Sequence, residues 1–305
     1  MQSLYITEYI ASESFLQYLQ ENAISYDALL SDVHYISDIF NQYSLINKPS
    51  ELSLLDYRDA VLSQSSNPLI ILHQLPISFL TPVLEKYAEK QITLINLYTG
   101  MGSFGKKLLP ELDDLSYIPQ RFAIYEPLDL VNFHDILSKE GSKYLRIPHQ
   151  HFPESIFSME DLGIIDQQLI NTIEILSLKT YGYTGDNATL LTSAANFSTA
   201  LQAGTVLQEQ TTPIDIFIIS KLNAEWNTEI ISSLKATKNL IVMIDHQADK
   251  SLQSLITTQL QNHNLNDIEV IYFVPEYSKQ TTVFDEFAME QTGFDAENLV
   301  KKIIR

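Results

Sequence analysis

The sequence has no cysteine and little glycine. The absence of cysteine excludes a disulfide framework, a cysteine-ligated zinc site and a thiol nucleophile. Only 9 of the 305 residues are glycine, which is below the share of about 7% usual in soluble proteins. Loops built from glycine are therefore few in this chain.

Basic residues are also scarce. The chain has 19 Lys and Arg against 38 Asp and Glu, which gives a formal net charge of -19. Such a chain repels nucleic acid and anionic membranes, because binding to either depends on a Lys/Arg patch that releases counterions. We expect a solvated acidic surface, and neither a nucleic-acid nor a membrane partner. Any phosphate on a substrate would need a local cation, and few are available.

Long apolar runs are missing as well. The longest, such as Asn239–Asp245, are far too short to span a bilayer. The first 14 residues carry acids and no basic segment, so they do not read as a secretory signal. We therefore expect a cytoplasmic protein, and a length of 305 residues suits two domains.

Short apolar runs alternate with helical patterns along both halves of the chain. Continuous apolar strands separated by helices indicate parallel sheets that are covered on both faces. The sequence therefore predicts an α/β protein with two domains, at 1–150 and 185–305, each a mostly parallel sheet flanked by helices. A linker is predicted at 151–184, with one possible helix over Asp166–Leu176. The predicted strands are residues 28–32, 68–73, 93–98, 122–125, 144–147, 189–193, 214–219, 240–244 and 270–273.

Several short motifs occur in a fixed order along almost the whole chain. They are Ile118-Pro119, Tyr125-Glu-Pro-Leu-Asp129, Tyr144-Leu-Arg-Ile-Pro148, Gly185-Asp-Asn-Ala-Thr-Leu-Leu191, Ala200-Leu-Gln-Ala203, Leu240-Ile-Val-Met-Ile-Asp-His246 and Thr292-Gly-Phe-Asp-Ala-Glu-Asn-Leu299. In this order they resemble the C-terminal half of the transketolase-like enzymes that depend on thiamine diphosphate. That half is a pyrimidine-binding domain followed by the transketolase C-terminal domain.

The resemblance implies a function that needs a second polypeptide. In this superfamily a separate domain holds the diphosphate and Mg2+ through a Gly-Asp-Gly...Asn motif, which this sequence lacks. The implied protein is an oligomeric subunit, homomeric or heteromeric, that works with a diphosphate-binding partner and transfers a two-carbon ketol unit between sugar phosphates. The beta subunit of a 2-oxo acid dehydrogenase has the same two domains and remains an alternative.

The resemblance assigns the cofactor-activating carboxylate to Glu51. Glu51 precedes Pro68 by 17 residues, the spacing at which the family places the glutamate that bonds the aminopyrimidine ring. A carboxylate can share a proton with a ring nitrogen in a dry site. The same residue also fits an acid in the first turn of a helix, where it would favour the helix dipole.

The other implied site residues each have a structural alternative. Asp32 matches an acid that follows the first strand in transketolase, but it could be a helix cap. Arg146 matches an arginine that contacts substrate phosphate, and its alternative is a salt bridge to one of the many acids. His73 or Phe79 would stack on the pyrimidine, although a phenylalanine there is more often core.

Several loops depart from the family pattern. Residues 52–67 contain no glycine, and the loop with Gly100, Gly102 and Gly105 is not followed by the family's Thr-His pair. That loop also mimics a dinucleotide fingerprint, but Pro110 interrupts the segment after it, so we reject that interpretation. These departures keep open a third possibility, a degenerate homologue that binds a partner without catalysis.

Overall fold

The computed structural model describes residues 28–31, 59, 62–63, 67–72, 77–99, 113–128, 130–148, 174–244, 250–276 and 292–304. These residues form two units, each built on one five-stranded sheet. We call residues 28–148 the first unit and residues 174–304 the second unit.

The first unit is a fully parallel sheet. Its strands are β1 (Ala28–Ser31), β2 (Pro68–Leu72), β3 (Thr93–Thr99), β4 (Ala123–Tyr125) and β5 (Lys143–Pro148). They lie in the order β1-β2-β3-β5-β4. The described helices are α1 (Thr81–Lys86) and α2 (Leu130–Ser138), with 3-10 turns at Ile77–Phe79 and Asp114–Tyr117.

The second unit is a doubly wound sheet. Its strands are β6 (Ile175–Ser177), β7 (Thr189–Ser193), β8 (Asp215–Ile219), β9 (Asn239–Met243) and β10 (Glu269–Phe273), in the order β10-β9-β7-β8-β6. Every pair is parallel except β6 with β8. The helices are α3 (Phe197–Glu209), α4 (Thr228–Thr237), α5 (Lys250–Asn262) and α6 (Ala296–Ile304).

The helices of the second unit divide between the two faces of its sheet. The buried side chains of α3 and α6, such as Leu207 and Leu299, belong to one apolar cluster. Those of α4 and α5, such as Leu234 and Ile256, belong to another cluster that continues into the first unit. Because β7, β8 and β9 are buried along almost their whole length, this double cover is what their apolar sequences require.

The two units join along the edge strand β4. The Glu126 N–H donates to the Ser220 carbonyl at 2.8 Å, and the Leu222 N–H donates to the Ile124 carbonyl at 2.8 Å. The Asn223 side chain completes the joint, since its Oδ1 accepts from the Ile124 N–H at 3.0 Å and its Nδ2 donates to the Phe122 carbonyl at 2.9 Å. The segment after β8 thus covers a sheet edge that would otherwise be open to pairing with another chain.

The predicted fold class is confirmed, with two mostly parallel α/β sheets. The nine predicted strands all occur, with boundaries that shift by one residue at most. The structure adds β6, which lies inside the range predicted as a linker and overlaps the end of the predicted helix over Asp166–Leu176. The prediction of a helix is wrong for the part of that range that the structure describes, because Ile175 and Leu176 form a strand that pairs with β8. The domain boundaries otherwise stay a prediction.

Within the described residues no helix combines the length and the apolar character that crossing a membrane requires.

Replacing Asn223 with alanine tests the joint between the units. The change removes the hydrogen bonds that Asn223 makes to the Ile124 N–H and the Phe122 carbonyl. We therefore expect a loss of about 1–3 kcal/mol in the free energy of unfolding. Thermal and urea unfolding would measure it. Asn187→Ala is the matched control, since that exposed amide bonds the Pro213 carbonyl inside the second unit. Equal losses in the two variants would contradict a special role for Asn223.

Candidate functional site

A group of buried polar side chains lies on the strands of the first sheet and on the segments next to them. Tyr144 and Arg146 are two apart on β5 and so share one face of the sheet. Asn96 on the neighbouring strand β3 is the register partner of Arg146. Glu126 follows directly after β4, and Asp114 opens the 3-10 turn that precedes that strand. The topology therefore gathers five polar residues from four segments.

Arg146 is the centre of this group. Its side chain is fully buried. Nε donates to Oδ2 of Asp114 at 3.0 Å and one terminal nitrogen donates to Oδ1 of the same carboxylate, which makes a bidentate pair. The other terminal nitrogen donates to Oε1 of Glu126 at 3.2 Å. At least three of the five guanidinium N–H groups are therefore engaged by the chain's own carboxylates.

Tyr144 extends the network on the side of Asp114. Its hydroxyl donates to Oδ2 of Asp114 and accepts from Nδ2 of Asn96 at 2.9 Å. Burial raises the pKa of the Tyr144 phenol well above its ordinary value, and the negative charge of Asp114 adds to the effect. The phenol thus remains a hydrogen-bond donor to Asp114 even in strongly alkaline solution.

In this group two carboxyl groups face one guanidinium. The side chains of Asp114, Glu126 and Arg146 are all at least nine-tenths buried. Buried charges are stable only when they are paired and hydrogen-bonded, so every partner here is needed. The three residues together offer an incoming anion no surplus positive charge.

A small cavity adjoins Glu126. It has room for about one water molecule, roughly 10 Å³. Thr192 and Ser193 at the end of β7 line it, as do Met243 at the end of β9 and Leu252 of α5. Glu126 therefore stands between Arg146 in the first unit and the carboxyl edge of the second sheet.

Most of the residues that the sequence implicated lie outside the described part of the chain. Glu51, Asp32 and His73 are among them, and their assigned roles stay predictions. Phe79 ends the described 3-10 turn Ile77–Phe79, but its side chain lies outside the description. The Gly100–Gly105 loop and the Asp245-His246 pair are also outside the described residues.

Arg146 is the one implicated residue whose contacts are described. The salt bridge that the sequence offered as the alternative is present twice, to Asp114 and to Glu126. The contact with substrate phosphate stays a prediction. Sequence reasoning missed Asp114, Glu126, Tyr144 and Asn96, although an arginine inside an otherwise apolar strand is a signal that a buried counter-charge must exist.

Comparison with known proteins supports the fold. No family model and no curated protein matches the chain. Among solved structures, a split-gene transketolase in an inactive β4 tetramer matches with a TM-score of 0.67 and 14% identity, over 97% of this chain and 96% of that one. The transketolase of Campylobacter jejuni matches with a TM-score of 0.62 and 15% identity, over 95% of this chain and 45% of that one.

The chain has the fold of the transketolase C-terminal half. The two transketolases differ in how much of their own length takes part. The match spans nearly all of the split-gene subunit but less than half of the Campylobacter jejuni chain. The resemblance inferred from the ordered motifs is confirmed at the level of the fold.

The described residues do not form a cradle for a diphosphate group. The buried guanidinium of Arg146 is already paired with the carboxyl groups of Asp114 and Glu126. Within the described residues no three His, Asp or Glu side chains are grouped so that they could hold a metal ion. The residues predicted to contact the pyrimidine ring are Glu51 and either His73 or Phe79, and their side chains lie outside the described part of the chain. No step through the cofactor follows from these contacts, and a metal held by a partner stays a prediction.

Replacing Arg146 with methionine tests the dependence on its charge. The change takes from both Asp114 and Glu126 the buried guanidinium that they bind, so we expect the free energy of unfolding to fall by about 3–5 kcal/mol. Urea unfolding at neutral pH would measure it. Lys86→Met is the control, because it breaks an exposed pair with Asp59 and should cost far less. Similar losses in both variants would show that the buried pair has no special weight.

Replacing Tyr144 with phenylalanine tests the raised pKa. Near neutral pH the variant should lose about 1–3 kcal/mol, because Asp114 and Asn96 each lose a hydrogen bond. The pKa of Tyr144 in the folded protein exceeds the unfolded value of about 10. The stability that the protonated phenol contributes is therefore complete below pH 10 and declines as the pH rises toward the folded pKa. The gap between wild type and variant should narrow above pH 10. A gap that stays constant with pH would contradict this assignment.

Proposed function

We propose that this chain is a subunit of a transketolase-type enzyme that depends on thiamine diphosphate. A partner chain would supply the diphosphate and Mg2+ site, and the pair would transfer a two-carbon ketol unit between sugar phosphates in the cytoplasm. The observation that supports the proposal most is the structural match to a split-gene transketolase chain. The match covers 97% of this chain and 96% of that one.

The described residues support a division of labour between two chains. Among the described residues, the buried guanidinium of Arg146 is already bound by two carboxyl groups, so this group does not itself form a site for a diphosphate. With a net charge of -19, the chain is poor in the cations that a phosphate site needs. The proposed partner would bring them, which makes the active site a shared interface.

The proposal gives Glu51 and Arg146 separate tasks. Thiamine diphosphate, when bound, supplies a nucleophilic thiazolium carbon. Glu51 would share a proton with the pyrimidine ring, a role for which a carboxylate in a dry site is suited. Arg146 would bind the substrate phosphate in place of one of the carboxyl groups that its guanidinium contacts. His73 or Phe79 would stack on the pyrimidine, and Asp32 would contact the substrate.

A second candidate is a homologue that binds its partner without catalysis. The observation in its favour is that Arg146 already donates to two carboxylates of its own chain. A substrate phosphate would have to compete with them. In this case the buried network would serve only to hold the fold.

Reconstitution with the partner separates the two candidates. We expect the pair to bind thiamine diphosphate and to transfer ketol groups, and Glu51→Gln to lower kcat by at least about 100-fold, the usual contribution of a positioned acid or base. Glu89→Gln, at an exposed position of the first unit, is the matched control and should keep full activity. Equal activity of both variants would remove Glu51 from the mechanism. Absence of cofactor binding in every pairing would favour the non-catalytic candidate.

A further inference from the structure

Two adjacent aspartates hold different parts of the protein. Asp114 accepts two hydrogen bonds from Arg146 in the first sheet. Asp113, one residue earlier, accepts the backbone N–H of Ser251 on its Oδ1 at 3.2 Å. Ser251 is the second residue of α5 in the second unit. The turn Asp113–Tyr117 is thus bound to the arginine on one side and to the start of a helix on the other.

The contact at α5 is favourable for reasons of helix chemistry. The first N–H groups of a helix have no partner inside it, and its N-terminus carries a partial positive charge. A carboxylate from the first unit satisfies both conditions. Leu115 in the same turn belongs to the buried apolar cluster that contains Leu252 and Ile256 of α5. The turn is therefore fixed to α5 by a charge-assisted hydrogen bond and by apolar packing.

The other carboxylate on Arg146 is also fixed to the second unit. Glu126 donates its backbone N–H to the Ser220 carbonyl at 2.8 Å while its carboxylate accepts from Arg146 at 3.2 Å. Ser220 comes directly after β8. The two described carboxyl partners of the Arg146 guanidinium are therefore each linked to the second unit, Asp114 through its neighbour Asp113 and Glu126 through its own backbone.

We propose that the second unit positions Arg146, with Asp113 and Glu126 as the positioning residues. Displacement of α5 would move the Asp113–Asp114 turn and with it the plane of the guanidinium. That Arg146 is oriented for a substrate phosphate rests on the proposed function. The coupling between α5 and the arginine does not, because it follows from the contacts within this chain.

Side-chain NMR of the full chain can measure the coupling directly. The sequence has four arginines, so arginine-labelled protein gives few Nε–H signals, and Arg146→Lys identifies the one of interest. We expect Asp113→Ala to speed hydrogen exchange at the Arg146 Nε–H by at least about fivefold, the size of effect that losing one capping contact brings. Asp113→Asn, whose amide oxygen can still accept from Ser251, should restore slow exchange.

The control removes an equivalent hydrogen bond, from an aspartate to an N–H at the start of a helix, at a different place in the protein. Asp295 accepts the Asn298 N–H at 2.8 Å at the start of α6 and has no described contact with the turn or with Arg146. Asp295→Ala should lower the melting temperature comparably yet leave exchange at Arg146 unchanged. If Asp113→Ala and Asp295→Ala affect that exchange equally, the arginine reports only global stability and the proposal fails. It also fails if Asp113→Ala leaves the Nε–H protected. Neither outcome depends on activity, so the proposed function could still stand.

Discussion

The buried charge of Arg146 determines which side chains surround it in the first unit. A guanidinium removed from water must find carboxylates and hydrogen-bond acceptors inside the structure, because its desolvation otherwise costs several kcal/mol. Asp114 and Glu126 meet that need from two segments that are separated from β5 in the sequence. The Tyr144 hydroxyl donates a further hydrogen bond to Oδ2 of Asp114, and Asn96 donates in turn to that hydroxyl. Removing any member takes a hydrogen-bond partner from another buried polar group.

The strand order makes this arrangement possible. β5 lies between β3 and β4, so Arg146 is flanked by Asn96 on one side and by Glu126, the residue that follows β4, on the other. The edge strand β4 has only three residues, and the segment after β8 pairs with it. The second unit therefore supplies the outer wall of the first sheet, and the interface between the units contains the acidic members of the cluster.

The sequence predicts the strands well because burial on both faces demands uninterrupted apolar residues. Asp215–Ile219 and Asn239–Met243 are examples in which the apolar run and the observed strand nearly coincide. The strand β6 escaped prediction because it has only three residues, runs antiparallel at a sheet edge and overlaps a helical pattern. Edge position relaxes the demand for apolar residues, so periodicity carries little information there.

The candidate site was less predictable for a different reason. The partners of Arg146 lie 32 and 20 residues away in sequence, and only the strand order brings them together. An arginine within Tyr144–Ile147 shows that some counter-charge is required, but not which of the 38 acidic residues provides it. The resemblance to transketolase directed attention to a ligand for Arg146, whereas the contacts show how the chain itself neutralises the charge.

Electrostatics connects this arrangement to the proposed partner. Among the described residues two carboxyl groups lie against one guanidinium, in a chain that is already strongly acidic. An anionic substrate would approach such a surface only if positive charge came from elsewhere, or if the anion replaced a carboxylate on the arginine. Under the proposed function, a second chain that carries cations would meet the first condition. Its positive charge would offset the repulsion near Glu126 and Asp114, at the interface between the two chains. The acidity of this subunit would then favour association with a basic partner surface.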